Sequence, residues 1–208
     1  MDESTLNAAM DRYACGDAQA FAALHQALYP RLLAYLTRMS GSPVLADDLL
    51  QETFLRMHRA RATFATGGAV IPWAYAIARN VHIDHARSAK HRATERLPSD
   101  PGSETVDRGG ADAESAAIAA EAARAVERVL ARIPASQRDA FVLIRYEGMS
   151  VQDAAAILGT TATAVKLRAF RAYEALRAEL EELKREAPAR GGSSTARARA
   201  EGGADGRS

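Results

Sequence analysis

Residues 151–171 read VQDAAAILGTTATAVKLRAFR, and the packing demands of this stretch decide the fold around it. Apolar residues recur at helical spacing on both sides of Gly159, so two helices flank a short break. Two helices that cross steeply need a small side chain where their backbones approach, and Ala155 supplies one. The turn after it needs a backbone that takes positive φ, which Gly159 does at little cost. Further on, Val165 is placed to plug the second helix into a core. Ser150 with Asp153 reads as an N-cap followed by an acid, a variant of the capping box. Ala155, Gly159 and Val165 keep the spacing of a DNA-binding helix-turn-helix. Thr163, Lys166, Leu167, Phe170 and Arg171 then form the outer face, opposite Val165, Ala169 and Ala172. Lysine and arginine there suit both phosphates and guanine edges. Glu174, Glu179, Glu181 and Glu182 restrict the expected DNA contact to the first two turns. An alanine-rich helical chain also produces such a triple by chance, so the rest of the sequence has to be weighed.

Outward from this motif the chain reads as all-α. Period-two alternation is missing, whereas i, i+3, i+4 spacing recurs throughout. Before the motif, a helix over 114–133 stops at Pro134, and a second over 136–146 precedes Gly148. Further back, Leu97–Asp112 (LPSDPGSETVDRGGAD) has too few large apolar groups to order itself and reads as a flexible linker. The first part of the chain reads as a helical bundle. One long helical stretch carries Ala20, Phe21, Leu24, Leu28, Leu32, Leu33 and Leu36, with Pro30 expected as a kink or restart. After a turn at Gly41-Ser42-Pro43, a helix carries Leu45, Leu49, Leu50, Phe54 and Met57. A break at Ala65-Thr66-Gly67-Gly68 precedes a helix opened by Ile71-Pro72-Trp73, with Pro72 near its favoured early position. Eight aromatic residues lie between Tyr13 and Tyr75 and four between Phe141 and Tyr173, with none in between, which favours two cores over one. The expected division is 1–95 for the first domain, 96–113 for the linker, 114–186 for the helix-turn-helix domain, and 187–208 for a low-complexity, disordered tail.

Composition narrows the class. Among 208 residues, 48% are hydrophobic and 25% charged, ordinary values that exclude a wholly disordered or fibrous chain. No apolar run reaches the ~18 residues that a membrane-spanning helix needs. The start, MDESTLNAAMDRYACGD, lacks the basic and apolar regions of a signal peptide, so a cytoplasmic location is expected. The single cysteine, Cys15, makes no internal disulfide and reads as a small buried apolar residue near a helix end. A net charge of +1 conceals a split. Residues 1–55 hold seven acids and three arginines, net −4, whereas 56–92 hold seven bases and one acid, net +6. An acidic segment followed by a basic one suggests two faces for two kinds of partner.

Four motifs, in order, resemble the extracytoplasmic-function (ECF) sigma factors of bacterial RNA polymerase. Asp47-Asp48-Leu49-Leu50-Gln51-Glu52-Thr53-Phe54-Leu55 is similar to the family's D-L-V-Q-E-x-F-L segment. Pro72-Trp73-Ala74-Tyr75-Ala76-Ile77-Ala78-Arg79-Asn80-Val81, with Ile83-Asp84, resembles its W-L-Y-x-I-A-R-N-x-x-I-D helix. Leu130-Ala131-Arg132-Ile133-Pro134 with Gln137-Arg138 and Phe141 resembles L-x-x-L-P-x-x-Q-R-x-x-F. Ala164-Val165-Lys166-Leu167-Arg168-Ala169-Phe170-Arg171-Ala172 resembles the T-V-K-S-R-L-x-R-A recognition helix. The resemblance runs from about Asp17 to Leu183.

It implies an alternative sigma factor: a monomer when free, without catalytic residues, cofactor or metal, that binds core polymerase and directs promoter-specific initiation. Its partners would be core RNA polymerase (the largest-subunit clamp coiled coil and the flap), promoter DNA and an anti-sigma factor. Asp48, Leu49, Gln51, Glu52, Leu55 and Arg56 would meet the clamp coiled coil. The following loop and helix would open the −10 element, which requires an aromatic platform, a snug pocket and cationic backbone contacts. Phe64 and the Gly67-Gly68 loop would form the pocket, and the Asn80 amide would read a base edge. Arg79, Arg87, Lys90 and Arg92 would hold phosphates. Trp73 reads as a core anchor ahead of a base contact, and Asp84 and His82 as tuning base choice or facing solvent. Leu167 stands where the family has a small polar residue, which implies a different −35 sequence.

Two other classes compete. A one-component or response-type helix-turn-helix regulator explains residues 130–184 equally well, but not Gln51-Glu52 or the helix over 73–84. A metal-dependent hydrolase would use His82-x-Asp84-His85, yet Asn80 breaks that motif and the residues lie in a helical pattern instead of on a loop after a strand.

Overall fold

A computed structural model describes residues 2–94 and 113–190, and among these every regular element is helical. The helices are α1 (Glu3–Ala14), α2 (Ala20–Ser40), α3 (Pro43–Ala60), α4 (Val70–Thr94), α5 (Ala113–Arg132), α6 (Ala135–Phe141), α7 (Val151–Leu158) and α8 (Ala162–Arg190). A 3-10 turn, Arg61–Thr63, follows α3, and a π turn, Val142–Tyr146, continues α6. All of the expected linker except Ala113, where α5 begins, and all of the expected tail beyond Arg190 lie outside the described residues. Helix α8 itself runs to Arg190, four residues past the expected end of the helix-turn-helix domain at 186.

Local chemistry sets the breaks. Ser42 caps α3 by accepting from the Leu45 N–H at 3.3 Å, and Pro43 takes the first helical position, where its missing N–H costs nothing. Ser150 accepts from the Asp153 N–H at 3.0 Å to start α7, and Gly159 ends it with φ +59. Thr161 then accepts from the Ala164 N–H at 3.2 Å to start α8. Pro30 does not restart α2. The helix continues through it, with Pro30 and Gln26, whose carbonyl it leaves unpaired, both exposed to water.

The expectation of two separate cores needs correction. One apolar cluster joins Leu24, Leu28, Leu36, Leu50 and Ala78 of the N-terminal bundle to Val142, Leu143, Ala154, Ile157 and Val165 of the C-terminal part. A smaller cluster of Val129, Leu130, Phe141, Ala172 and Leu176 holds α5, α6 and α8 together. Helix α7 packs on α4, so the helix-turn-helix rests against the bundle. Two ionic groupings flank that contact. Arg79 of α4 donates to the Asp139 carboxylate of α6 at 2.9 Å, and the Asp139 side chain is only 6% exposed. Glu147 accepts from Arg38 at 2.9 Å and from the Tyr75 hydroxyl, while the Arg38 guanidinium lies 4.7 Å over the Tyr146 ring. Burial, followed by the Glu147 hydrogen bond, pushes the Tyr75 phenol above its ordinary pKa. Cys15, expected to be buried, is exposed, because it caps the end of α1 where the chain turns outward.

Candidate polymerase and promoter surfaces

Helix α3 turns its apolar stripe inward and leaves a mixed face outside. Ala46, Leu49, Leu50, Phe54 and Met57 are buried. Leu49 was expected among the polymerase contacts, but its side chain lies in the core, 4% exposed. The helical period sets it on the Leu50–Thr53 side of α3 and away from Asp48, so it supports the outer face from beneath. Asp48, Gln51 and Leu55 are exposed, and Val44 extends the same i, i+4, i+7, i+11 row with 75% exposure. Gln51 donates to Asp47 at 3.1 Å. Glu52 and Arg56 are half-buried and paired at 2.8 Å, and Arg56 also donates to Asp84 of α4 at 2.6 Å. The Asp84 and Glu52 hydrogen bonds push the Arg56 guanidinium further toward its charged form. Asp84 is thus tied to α3, which answers whether it faces only solvent.

The stretch between α3 and α4 is a compact turn built around Phe64. Its ring packs edge-on against Trp73, with centroids 5.1 Å apart, and both rings are half-buried against the bundle core. Gly67 adopts φ +73, and the Gly68 N–H donates to the Ala65 carbonyl at 2.8 Å. A Cβ at Gly68 would sit 2.8 Å from that carbonyl oxygen and 3.1 Å from Phe64 Cζ, so the turn closes only with glycine there. Side chains of α1 hold the outer side. Asp11 accepts from the Gly67 N–H at 3.1 Å, and Asn7 accepts from the Val70 N–H at 3.0 Å.

Asn80 and Arg87 lie exposed on α4, as does Lys90. Arg79 faces the other way, 21% exposed and committed to Asp139 in this arrangement, so its expected phosphate contact is not available here. His82 is half-buried at the same contact. Burial lowers its pKa below the ordinary value, the Arg138 charge adds to this, and Asp139 opposes it.

In the helix-turn-helix, Val165 and Ala172 are fully buried and Ala155 is 7% exposed, as the spacing requires. Thr163, Lys166 and Arg171 are exposed, and so are Leu167 (48%) and Phe170 (60%). The five residues therefore form one free face. Sequence reasoning missed Asn7, Asp11, Val44, Asp139 and Glu147. The first two share a helix face at i, i+4, a visible signal whose destination was not visible. Asp139 interrupts an apolar stripe, which is a usable signal for a buried ion pair. Among the described residues no cluster of His, Cys, Asp or Glu fits a metal ion. None of their helices is long and apolar enough to cross a membrane.

Residues 24–92 match the family model for sigma-70 region 2, and residues 123–176 that for sigma-70 region 4. The chain is 34% identical over 180 residues to the RNA polymerase sigma factor CarQ of Myxococcus xanthus, spanning 85% of this chain and 98% of CarQ. It is 37% identical over 175 residues to the ECF RNA polymerase sigma factor SigF of Caulobacter vibrioides, spanning 84% of this chain and 93% of SigF. Among solved structures, CnrH in complex with the cytosolic domain of CnrY matches with a TM-score of 0.63 at 26% identity, over 85% of this chain and 97% of CnrH. The sigma factor RpoE of Bartonella quintana, in complex with the anti-sigma factor NepR, shares the fold with a TM-score of 0.65 at 24% identity, over 79% of this chain and 98% of RpoE.

Proposed function

The chain belongs to the ECF sigma factors of bacterial RNA polymerase, and we propose that three of its surfaces divide the work of promoter-specific initiation among them. The outer face of α3 (Asp48, Gln51 and Leu55, with the Glu52–Arg56 pair at its edge) docks on the clamp coiled coil of core polymerase. Its acids complement a basic partner, and Leu55 adds apolar contact. The turn around Phe64, with Asn80, Arg87 and Lys90 of α4, receives unstacked bases and phosphates of the −10 element. The first two turns of α8, through Thr163, Lys166, Leu167, Phe170 and Arg171, read the −35 element in the major groove.

The observation that carries this reading is the free outer face of α8 beside a fully buried Val165. A helix anchored so firmly on one side presents lysine and arginine rigidly on the other, which base readout needs. The chain performs no covalent step in this reading; bond formation belongs to the polymerase. It works in the cytoplasm as a monomer when free, and an anti-sigma factor restrains it; the likeness to CnrH, solved in complex with the cytosolic domain of CnrY, supports a protein partner of this kind.

Run-off transcription with purified core enzyme, this chain and genomic fragments tests the proposal. Discrete start sites that appear only with the chain are expected. Core enzyme whose transcripts are unchanged by the chain would overturn it, as would tight dimeric binding to a palindromic duplex without polymerase, the behaviour of an ordinary regulator.

A further inference from the structure

The turn between α3 and α4 is held in shape by a helix outside the region-2 match. Helix α1 (Glu3–Ala14) precedes residues 24–92, yet two of its side chains satisfy the turn's backbone. Asn7 and Asp11 stand at i, i+4 on one face of α1, beside the row of Leu6, Met10 and Tyr13 that buries the helix against the bundle. Asp11 Oδ1 accepts from the Gly67 N–H at 3.1 Å, and its second oxygen lies 3.4 Å from the same donor. Asn7 Oδ1 accepts from the Val70 N–H at 3.0 Å, an N–H of the first turn of α4 that has no intrahelical partner. Gly67 has φ +73, a conformation that an unbraced chain samples among many others. Phe64 against Trp73 fixes the turn from inside, and α1 fixes it from outside.

We infer that Asn7 and Asp11 are positioning residues for promoter opening: they hold the 64–70 turn in the shape that captures an unstacked base. The inference rests on the reading of that turn as part of the −10 surface. A pocket for a flipped base works by being formed in advance, because ordering it during melting would subtract from the free energy that keeps the base out of the stack. Neither side chain touches DNA in this scheme. Each acts through one backbone N–H, and so what matters is an acceptor oxygen at each position.

The test uses the full chain with core polymerase on a promoter mapped by run-off transcription. Asn7→Ala and Asp11→Ala are compared with Asn7→Asp and Asp11→Asn, which keep an acceptor oxygen. Core affinity, permanganate reactivity of thymines in the melted segment, and transcription from a pre-melted template are measured. The alanine variants are expected to bind core normally and to lose about tenfold in opening the duplex promoter, the size of one well-made hydrogen bond. They recover most activity on the pre-melted template, and the conservative variants stay within about threefold of the parent. Normal opening by the alanine variants would overturn the inference. So would an equal loss on duplex and pre-melted templates, which is the mark of general destabilisation. Phe64→Ala and Asn80→Ala in the same assay test the underlying reading. If they open the promoter normally, the −10 surface itself is misassigned; if they fail while the α1 variants do not, only the brace is refuted.

Discussion

Arg171 stands exposed on α8 beside Phe170, on the side opposite the buried Val165 and Ala172. Its guanidinium makes none of the described ion pairs, so substitution removes only what it does for a partner. Arg171→Ala in the holoenzyme is expected to weaken promoter binding by about 1–3 kcal/mol, measured by competition on promoter fragments. If Arg171 reads a base, the loss comes with relaxed preference at one position; a phosphate contact gives a uniform loss and a shallower salt dependence. The outer faces of α8 and α3 were legible because a helix period separates a stripe of alanine, leucine and valine from polar residues. What the period does not say is which groups close on one another. Arg79 reads as a phosphate contact because it is basic and near Asn80, yet an acid sixty residues away claims it. Leu49 reads as a docking residue because it neighbours Asp48, although its side chain points to the other side of α3.

At the scale of the element, α7 depends on its first residue's neighbour. Ser150 accepts from the Asp153 N–H, and its hydroxyl donates to the Asp153 carboxylate at 2.6 Å, so the cap closes in both directions. Helix α7 is only eight residues long and gains little from its own cooperativity. Ser150→Ala is expected to cost about 1 kcal/mol, read from the denaturant midpoint with the slope unchanged. Starts and stops of this kind are written in short-range chemistry, which is why Ser150, Gly159 and the Ser42-Pro43 pair predict helix boundaries from sequence. The π turn after α6 is different. The Glu147 N–H donates to the Val142 carbonyl at 3.1 Å, five residues back, and the extra residue turns Tyr146 out and Glu147 toward Arg38 and Tyr75. Nothing in a 3.6-residue period marks where a helix takes in one residue more; the partners that reward it lie in α2 and α4.

For the whole molecule, the aromatic gap between Tyr75 and Phe141 suggests two bodies, and each module does have its own apolar stripe. The stripes nevertheless merge, because α7 offers Ala154 and Ile157 to α4 while Arg79–Asp139 and Arg38–Glu147–Tyr75 pair polar groups at the margin. This closed form has a geometric consequence. Elements near −10 and −35 lie about 25 base pairs apart, on the order of 85 Å at ~3.4 Å per pair. A compact body of this chain length is only about 40 Å across. If the chain engages both elements as proposed, the helix-turn-helix has to part from the bundle, and Arg79 is then released from Asp139. Removing one partner of a buried ion pair costs up to about 3–5 kcal/mol when the other stays buried. Where the modules separate instead, the cost falls on the closed form. Asp139→Ala is therefore expected to raise the radius of gyration of the free chain in small-angle scattering. Glu147→Gln should raise it less, since the amide oxygen still accepts from Arg38. Unchanged scattering in Asp139→Ala, with only a lower melting temperature, would mean that the pair stabilises its surroundings without governing how the modules part.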